Sequence, residues 1–226
     1  MMKQNYQKQL DSLLTSLGDK KPKLLLHACC GPCSSYVLEY LYKHFDITVF
    51  YYNPNIYPEE EYHRRLDELK NLYTKFPPAL EGKIKVIEEN YDPDDFYKAV
   101  KTKEEPELAG EKERGERCRR CYEFRLKKTY EYALKNHFDY FCTTLSISPF
   151  KDAEKINVLG KEIEAQNTGA EIAKTTGAEK TPLWLTSDFK KKGGFKRSLE
   201  LSEEYGMYRQ QYCGCIYSLK NSSPSE

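Results

Sequence analysis

The chain has 226 residues and carries 36 Lys and Arg against 35 Asp and Glu, a formal net charge of +1. That length suits a single domain over 1–226 with an ordinary core, and excludes collagenous and disulfide-miniprotein readings. A charge so near zero announces neither a nucleic-acid nor a membrane partner, so any such partner must be argued locally.

No stretch approaches the roughly 20 apolar residues that a bilayer crossing needs, and Met1 to Asp11 is polar with no signal-peptide core. A cytoplasmic protein is expected. In that compartment eight cysteines stay reduced, which favours metal ligation or redox chemistry over structural disulfides.

In chain order, Lys23 to Ala28 reads as a short buried strand around Leu24-Leu25-Leu26. Ser34 to Phe45 carries Val37, Leu38, Leu41 and Phe45 at helical spacing. Between them lies Cys29-Cys30-Gly31-Pro32-Cys33, at a strand-to-helix loop of the kind where open α/β sheets place their ligands. A second strand is expected over Ile47 to Tyr52, ending in Asn53-Pro54-Asn55, and Pro58 can open a helix whose Tyr62, Leu66, Leu69 and Tyr73 share a face. Ile84 to Ile87 is a third strand. The charged segment 102–116, with Pro106, Gly110 and Gly115, is expected to be a mobile loop. A helix over Cys121 to Asn136 precedes a fourth apolar run, Tyr140 to Thr144. Thr168-Gly169-Ala170-Glu171 recurs at 176–179, too little for a repeat architecture. The tail 221–226 should fray. Alternating strands and helices predict an α/β, Rossmann-like fold: a mainly parallel sheet with helices on both faces and an additional C-terminal helical segment.

The cysteines carry the chemistry. Cys118-Arg119-Arg120-Cys121 has the two-residue gap that lets neighbouring thiolates reach one metal centre. Cys29 and Cys30 add two thiols from another segment, and four such ligands can complete a zinc site or a [4Fe–4S] cluster. An adjacent pair is awkward for one tetrahedral ion, which puts the cluster ahead. Cys33 is an extra ligand, or the holder of a second metal ion. Cys213-Gly214-Cys215 keeps two sulfurs close but strains a disulfide between them, which suits a cycling dithiol; metal ligation is the other use. Cys142 reads as an inert buried thiol. His27 reads as a hydrogen-bonded strand-end residue and His63 as a surface residue.

Charge is gathered locally. Residues 117–128 sum to +5 through Arg117, Arg119, Arg120, Arg125, Lys127 and Lys128 against Glu123. Residues 186–198 sum to +4 through Lys190, Lys191, Lys192, Lys196 and Arg197 against Asp188. Two basic segments, one interleaved with cysteines, point to a nucleic-acid backbone over a redox site. Solvated helix faces are the bland reading of each.

These residues resemble a known family. His27-Ala28-Cys29-Cys30-Gly31-Pro32-Cys33, Tyr51 to Ile56, Arg117 to Tyr122, Thr143 to Pro149, Asp188 to Lys191 and Tyr208 to Cys215 together resemble the epoxyqueuosine reductase QueH family, in order from about residue 24 to 217. The resemblance implies a cytoplasmic, cobalamin-independent oxidoreductase of queuosine biosynthesis. Its substrate would be tRNA carrying epoxyqueuosine in the anticodon loop. It further implies a [4Fe–4S] cluster on Cys29, Cys30, Cys118 and Cys121, a redox-active disulfide at Cys213 and Cys215, and an electron donor that the residues do not identify. The fold is similar to that of adenine nucleotide hydrolase-like tRNA-modifying enzymes, so a nucleotide-dependent tRNA sulfur transferase is one alternative. A zinc-stabilised RNA-binding module is another. Epoxide reduction to an alkene needs two electrons and two protons; Asp152 and Asp188 are the candidate proton donors.

Overall fold

A computed structural model describes residues 4–166 and 180–222; the two four-residue copies at 168–171 and 176–179, and the tail beyond 222, lie outside the described residues. Five strands, β1 (Lys23–His27), β2 (Asp46–Tyr51), β3 (Lys85–Glu88), β4 (Tyr140–Thr143) and β5 (Leu183–Trp184), form one sheet in the order β3-β2-β1-β4-β5. Every pairing is parallel, and β1 runs with Leu26 opposite both Val49 of β2 and Cys142 of β4. The chain winds outward from β1 to β3, then crosses back to lay β4 on the other side of β1. That reversal opens a crevice at the carboxyl ends of β1 and β4.

Helices cover both faces, which explains the unbroken apolar run of β1. Successive side chains of a strand point to opposite sides. Leu24 and Leu26 therefore join one core with α1 (Tyr6–Leu17), α2 (Gly31–Leu41), α3 (Glu59–Tyr73) and α8 (Gly194–Glu204). Leu25 joins the other, with Phe50, Phe141, α6 (Glu116–Lys135) and α7 (Ala153–Gln166). Gly160 lets α7 lie directly on β5: a Cβ there would stand 2.2 Å from the Trp184 ring. Short helices α4 (Pro77–Glu81), α5 (Pro93–Val100) and α9 (Ile216–Ser222) complete the described elements, with 3-10 turns at Pro106–Gly110 and Thr144–Ile147.

The predicted α/β sheet is observed, with strand ends displaced by a residue. Two helices start earlier than predicted. α2 begins at Gly31, inside the cysteine motif, because Pro32 has no N–H to lose and sits well in a first helical turn. α6 begins at Glu116, where the Glu111 carboxylate accepts from the backbone N–H groups of Glu116 and Arg117 at 2.7 and 2.8 Å. That cap places Cys118 and Cys121 one turn apart on the first stretch of α6. The segment before it is tied to α6 at several points, through Glu105, Leu108 and Glu111. Among the described residues no helix is long and apolar enough to cross a membrane.

Candidate active site

The carboxyl ends of the central strands are held by His27, which is fully buried. Its Nε2 donates to the Tyr52 carbonyl at 3.1 Å, so Nδ1, 2.8 Å from Thr143 Oγ1, accepts from that hydroxyl. Burial and the Arg125 guanidinium push its pKa down to about 4, leaving a neutral imidazole that ties β1 to β4 and to the end of β2. His27 is a strut, as its place at a strand end suggested.

Immediately beyond it, Cys29, Cys30 and Cys33 present three sulfurs all within 4.8 Å of one another. Cys29 and Cys30 lie 3.9 Å apart, and Gln210 Nε2 donates to Cys30 Sγ at 3.1 Å. Hydrogen bonds from Cys30 and Cys33 hold the Cys29 thiol low, and giving that bond pushes Cys30 up to about 12. Such a trio shares charge as one thiolate and two donors, and a soft cation can replace the shared protons. Cys118 and Cys121 are buried on the adjoining face of α6. Cys118 packs in the same cluster as Cys29 and Cys30, whereas Cys121 packs with Cys215, Phe96 and Val100. Burial pushes Cys118 up to about 11 and also raises Cys121. The tight trio thus includes Cys33, which the sequence suggested as an extra ligand or the holder of a second metal ion, and the Cys118/Cys121 pair stands outside it.

The Cys213-Gly214-Cys215 turn completes the wall. Gly214 has φ +123°, a backbone open chiefly to glycine. The turn is clamped by Arg65, which donates to the Cys213 carbonyl at 3.2 Å while paired with Glu61 at 2.7 Å. Cys215 is buried beside Ser218, and Cys213 is half-buried against the ammonium of Lys151. A hydrogen bond from Cys215, reinforced by Lys151, holds the Cys213 thiol well below the usual range.

Cys29, Cys33, Glu113, Arg125, Lys151 and Cys213 line a cavity of about 620 Å³, while Cys30, Cys118, Cys121 and Cys215 lie behind its wall. Its mouth bears Phe150, 66 % exposed. Arg125 is buried, and its Nη2 has no hydrogen-bond partner. Burial raises Glu113 above the usual carboxylate range. Buried soft donors with cations to balance their charge fit an iron–sulfur or other thiolate-bound metal centre. Sequence reasoning assigned no role to Lys151, Glu113 or Gln210, although Lys151 directly follows the Ser148-Pro149-Phe150 motif and Gln210 lies within the Tyr208 to Cys215 motif.

The family comparison fits this thiol-lined crevice. The protein-family model described as Epoxyqueuosine reductase QueH matches residues 24–221. Curated proteins of that name are similar over most of their length. The protein from Streptococcus pyogenes serotype M1 is 40% identical over 200 residues, covering 88% of this chain and 71% of its own. That from Staphylococcus aureus (strain Mu50) is 38% identical over 216 residues, 95% and 83%. That from Thermotoga maritima is 31% identical over 196 residues, 87% and 90%. The chain belongs to the epoxyqueuosine reductase QueH family. It is an oxidoreductase, and its family motifs at Cys29, Cys33 and Cys213 meet at one cavity.

The remaining residues singled out from sequence lie elsewhere. Asp152 accepts from the N–H groups of Glu154 and Lys155, both at 3.1 Å, which makes it the cap of α7 rather than a group of the cavity wall. Asp188 pairs with Lys190 at 2.8 Å, also off the cavity wall. Arg117 is buried, donating to the Leu108 and Ala109 carbonyls. Arg119 pairs with Glu116 and Glu123, and Arg120 with Glu105 and Glu116. Lys192 pairs with Asp11, and Arg197 with Glu39 at 2.8 Å. Lys191 and Lys196 are exposed, Lys196 with only a 4.0 Å contact to Glu200. Cys142 is buried under the Leu185 carbonyl at 3.3 Å, its thiol pushed up to about 12 by burial.

Proposed function

We propose that this chain reduces the epoxide of epoxyqueuosine in a tRNA anticodon loop to the alkene of queuosine, without cobalamin. Two electrons and two protons enter, the C–O bonds break, and the oxygen leaves as water. Side chains at neutral pH supply the protons but not the electrons. An iron–sulfur cluster held by Cys29, Cys30, Cys118 and Cys121, with Cys33 as a further ligand, would supply electrons singly. Cys213 and Cys215 cycle between dithiol and disulfide. The convergence of the Cys29, Cys33 and Cys213 motifs on one cation-lined cavity carries this reading.

The cavity has the volume of a small-molecule site, which suits a base splayed out of a loop more than a duplex. Phe150 stands at the mouth as a stacking surface for a neighbouring base. It is held in place by Arg114, which donates to the Phe150 carbonyl at 3.3 Å. Arg125 and Lys151 balance thiolate charge, and Glu113, whose pKa burial raises, is the carboxyl in the cavity wall best placed to give a proton. Lys191 and Lys196, exposed beside the carboxylate-paired Lys190, Lys192 and Arg197, form the backbone-facing track, since lysine to phosphate positions without reading sequence.

The test is anaerobic purification with iron, sulfide and zinc analysis, followed by reaction of reduced protein with epoxyqueuosine-containing tRNA and mass analysis of its nucleosides. Queuosine should appear in proportion to iron content. Stoichiometric zinc without iron or sulfide, or epoxyqueuosine left unchanged by iron-loaded protein, would overturn the reading.

A further inference from the structure

An ammonium is costly to bury, and it stays buried where an anion offsets the loss of water. Lys151 is 7 % exposed and sits just before α7. No carboxylate among the described residues forms an ion pair with it; its partner is the Cys213 sulfur. Glu113 acts on it only at longer range, and the Tyr122 hydroxyl nearby is buried without a hydrogen-bond partner. A lysine with a sulfur as its anion, in the wall of the cavity, answers to no structural need that a methionine of similar length would not meet better.

We propose that Lys151 is a positioning residue, the counter-ion that holds Cys213 in its reduced form and so sets the reduction potential of the Cys213/Cys215 couple. This rests on the reading of that pair as a redox couple given above. Reduction of the disulfide by a dithiol takes two electrons and one proton. The S–S bond breaks, Cys215 leaves as the thiol with the proton, and Cys213 remains a thiolate on the Lys151 ammonium. On oxidation Cys213 becomes neutral and Lys151 is left buried without its anion. The contact exists in one redox state only, so it favours that state and makes the couple easier to reduce. Arg65, which grips the Cys213 carbonyl, is bound to backbone that both states retain, and discriminates far less between them.

The experiment equilibrates anaerobically purified, metal-loaded protein with reduced and oxidised dithiothreitol over a wide range of ratios. It is quenched in denaturant with an alkylating agent. The peptide bearing Cys213 and Cys215 is then weighed as disulfide or doubly alkylated. Lys151→Met should need about a tenfold higher dithiol-to-disulfide ratio for half reduction, equivalent to about 30 mV for a two-electron couple. Lys151→Arg, which keeps the charge, should stay close to wild type, and Lys151→Gln replaces Lys151→Met if the latter does not fold. A purely structural lysine would lower the thermal midpoint and leave the ratio unmoved. Lys151→Met or Lys151→Gln titrating with wild type overturns the counter-ion role while leaving the couple intact. A wild-type peptide that is doubly alkylated at every ratio removes the couple, and overturns both this proposal and the reading beneath it.

Discussion

The two basic segments look alike in sequence and differ in the fold. Residues 117–128 turn their charge inward or spend it locally: Arg117 and Arg125 are buried, while Arg119 and Lys127 pair with Glu123 one turn away. Residues 190–197 also pair Lys190, Lys192 and Arg197 with Asp188, Asp11 and Glu39, but at the glycine turn and the start of α8 Lys191 and Lys196 face solvent. A window of charge along a chain is therefore not a surface potential. On a helix, glutamates three and four residues away cancel it, and a cation on the core-facing side never reaches a ligand outside.

The contrast is broken most severely at Arg125. It donates to the Cys121 carbonyl at 3.2 Å and the Asn53 side chain at 3.4 Å, with Cys29, Cys121 and Cys213 all acting on its charge. If its role is to balance thiolates, Arg125→Met should lower metal affinity about 10–100-fold, as loss of groups around a metal site does, and activity should fall with it. The metal-free variant should melt no lower than wild type, because an apolar group in place of a buried cation is often neutral or stabilising. Iron analysis beside thermal melts checks both halves; retained iron with a lowered melt would make Arg125 merely structural.

Arg117 should show the opposite pattern. It supports two carbonyls of the 3-10 turn and stacks 4.9 Å from the Tyr217 ring centroid. Arg117→Ala frees those carbonyls and leaves a void, at a cost of about 2–4 kcal/mol. Denaturant unfolding should record that loss, with no change in the salt dependence of tRNA binding.

What was legible follows the range of the signal. Leu24-Leu25-Leu26 bounded by Pro22 and Gly31 declares a strand locally, and cysteines are rare enough that their spacing alone points to ligation. α7 was missed although Ile156, Leu159 and Ile163 stand at helical spacing and are buried, and β5, two residues long, is too short for any period to show. Lys151 was hidden for a different reason. Lysine is common, and its burial depends on Cys213, 62 residues away; only the fold brings the two together. Asp152, its neighbour, is a candidate proton donor from its place after Ser148-Pro149-Phe150, and the fold uses it as a helix cap.

The second segment should give a smaller effect, in binding alone. Replacing Lys191 and Lys196 together by Ala should weaken tRNA binding several-fold and flatten the plot of log affinity against log salt by about 1.4, taking about 0.7 per phosphate contact on a single strand. The loss should be similar for tRNAs with and without the modified base, since phosphate contacts carry no base information. A salt series for both tRNAs decides it, and an unchanged slope would make this lysine run a solvated face.

Arg119 should give the smallest effect of all. Its guanidinium is partly exposed and shared between Glu116 at 2.8 Å and Glu123 at 2.9 Å, so a phosphate would have to displace two carboxylates already in place. Exposed helix pairs of this kind contribute about 0.2–1 kcal/mol, and Arg119→Ala should lower stability by no more than that. Because its charge is already neutralised, removing it should leave the salt slope of tRNA binding where it was. A slope that falls by one contact in Arg119→Ala would show that Glu116 and Glu123 release the guanidinium when RNA arrives. The surface of α6 would then join the lysine run as part of the same track, and the difference between the two segments would hold only for the free protein.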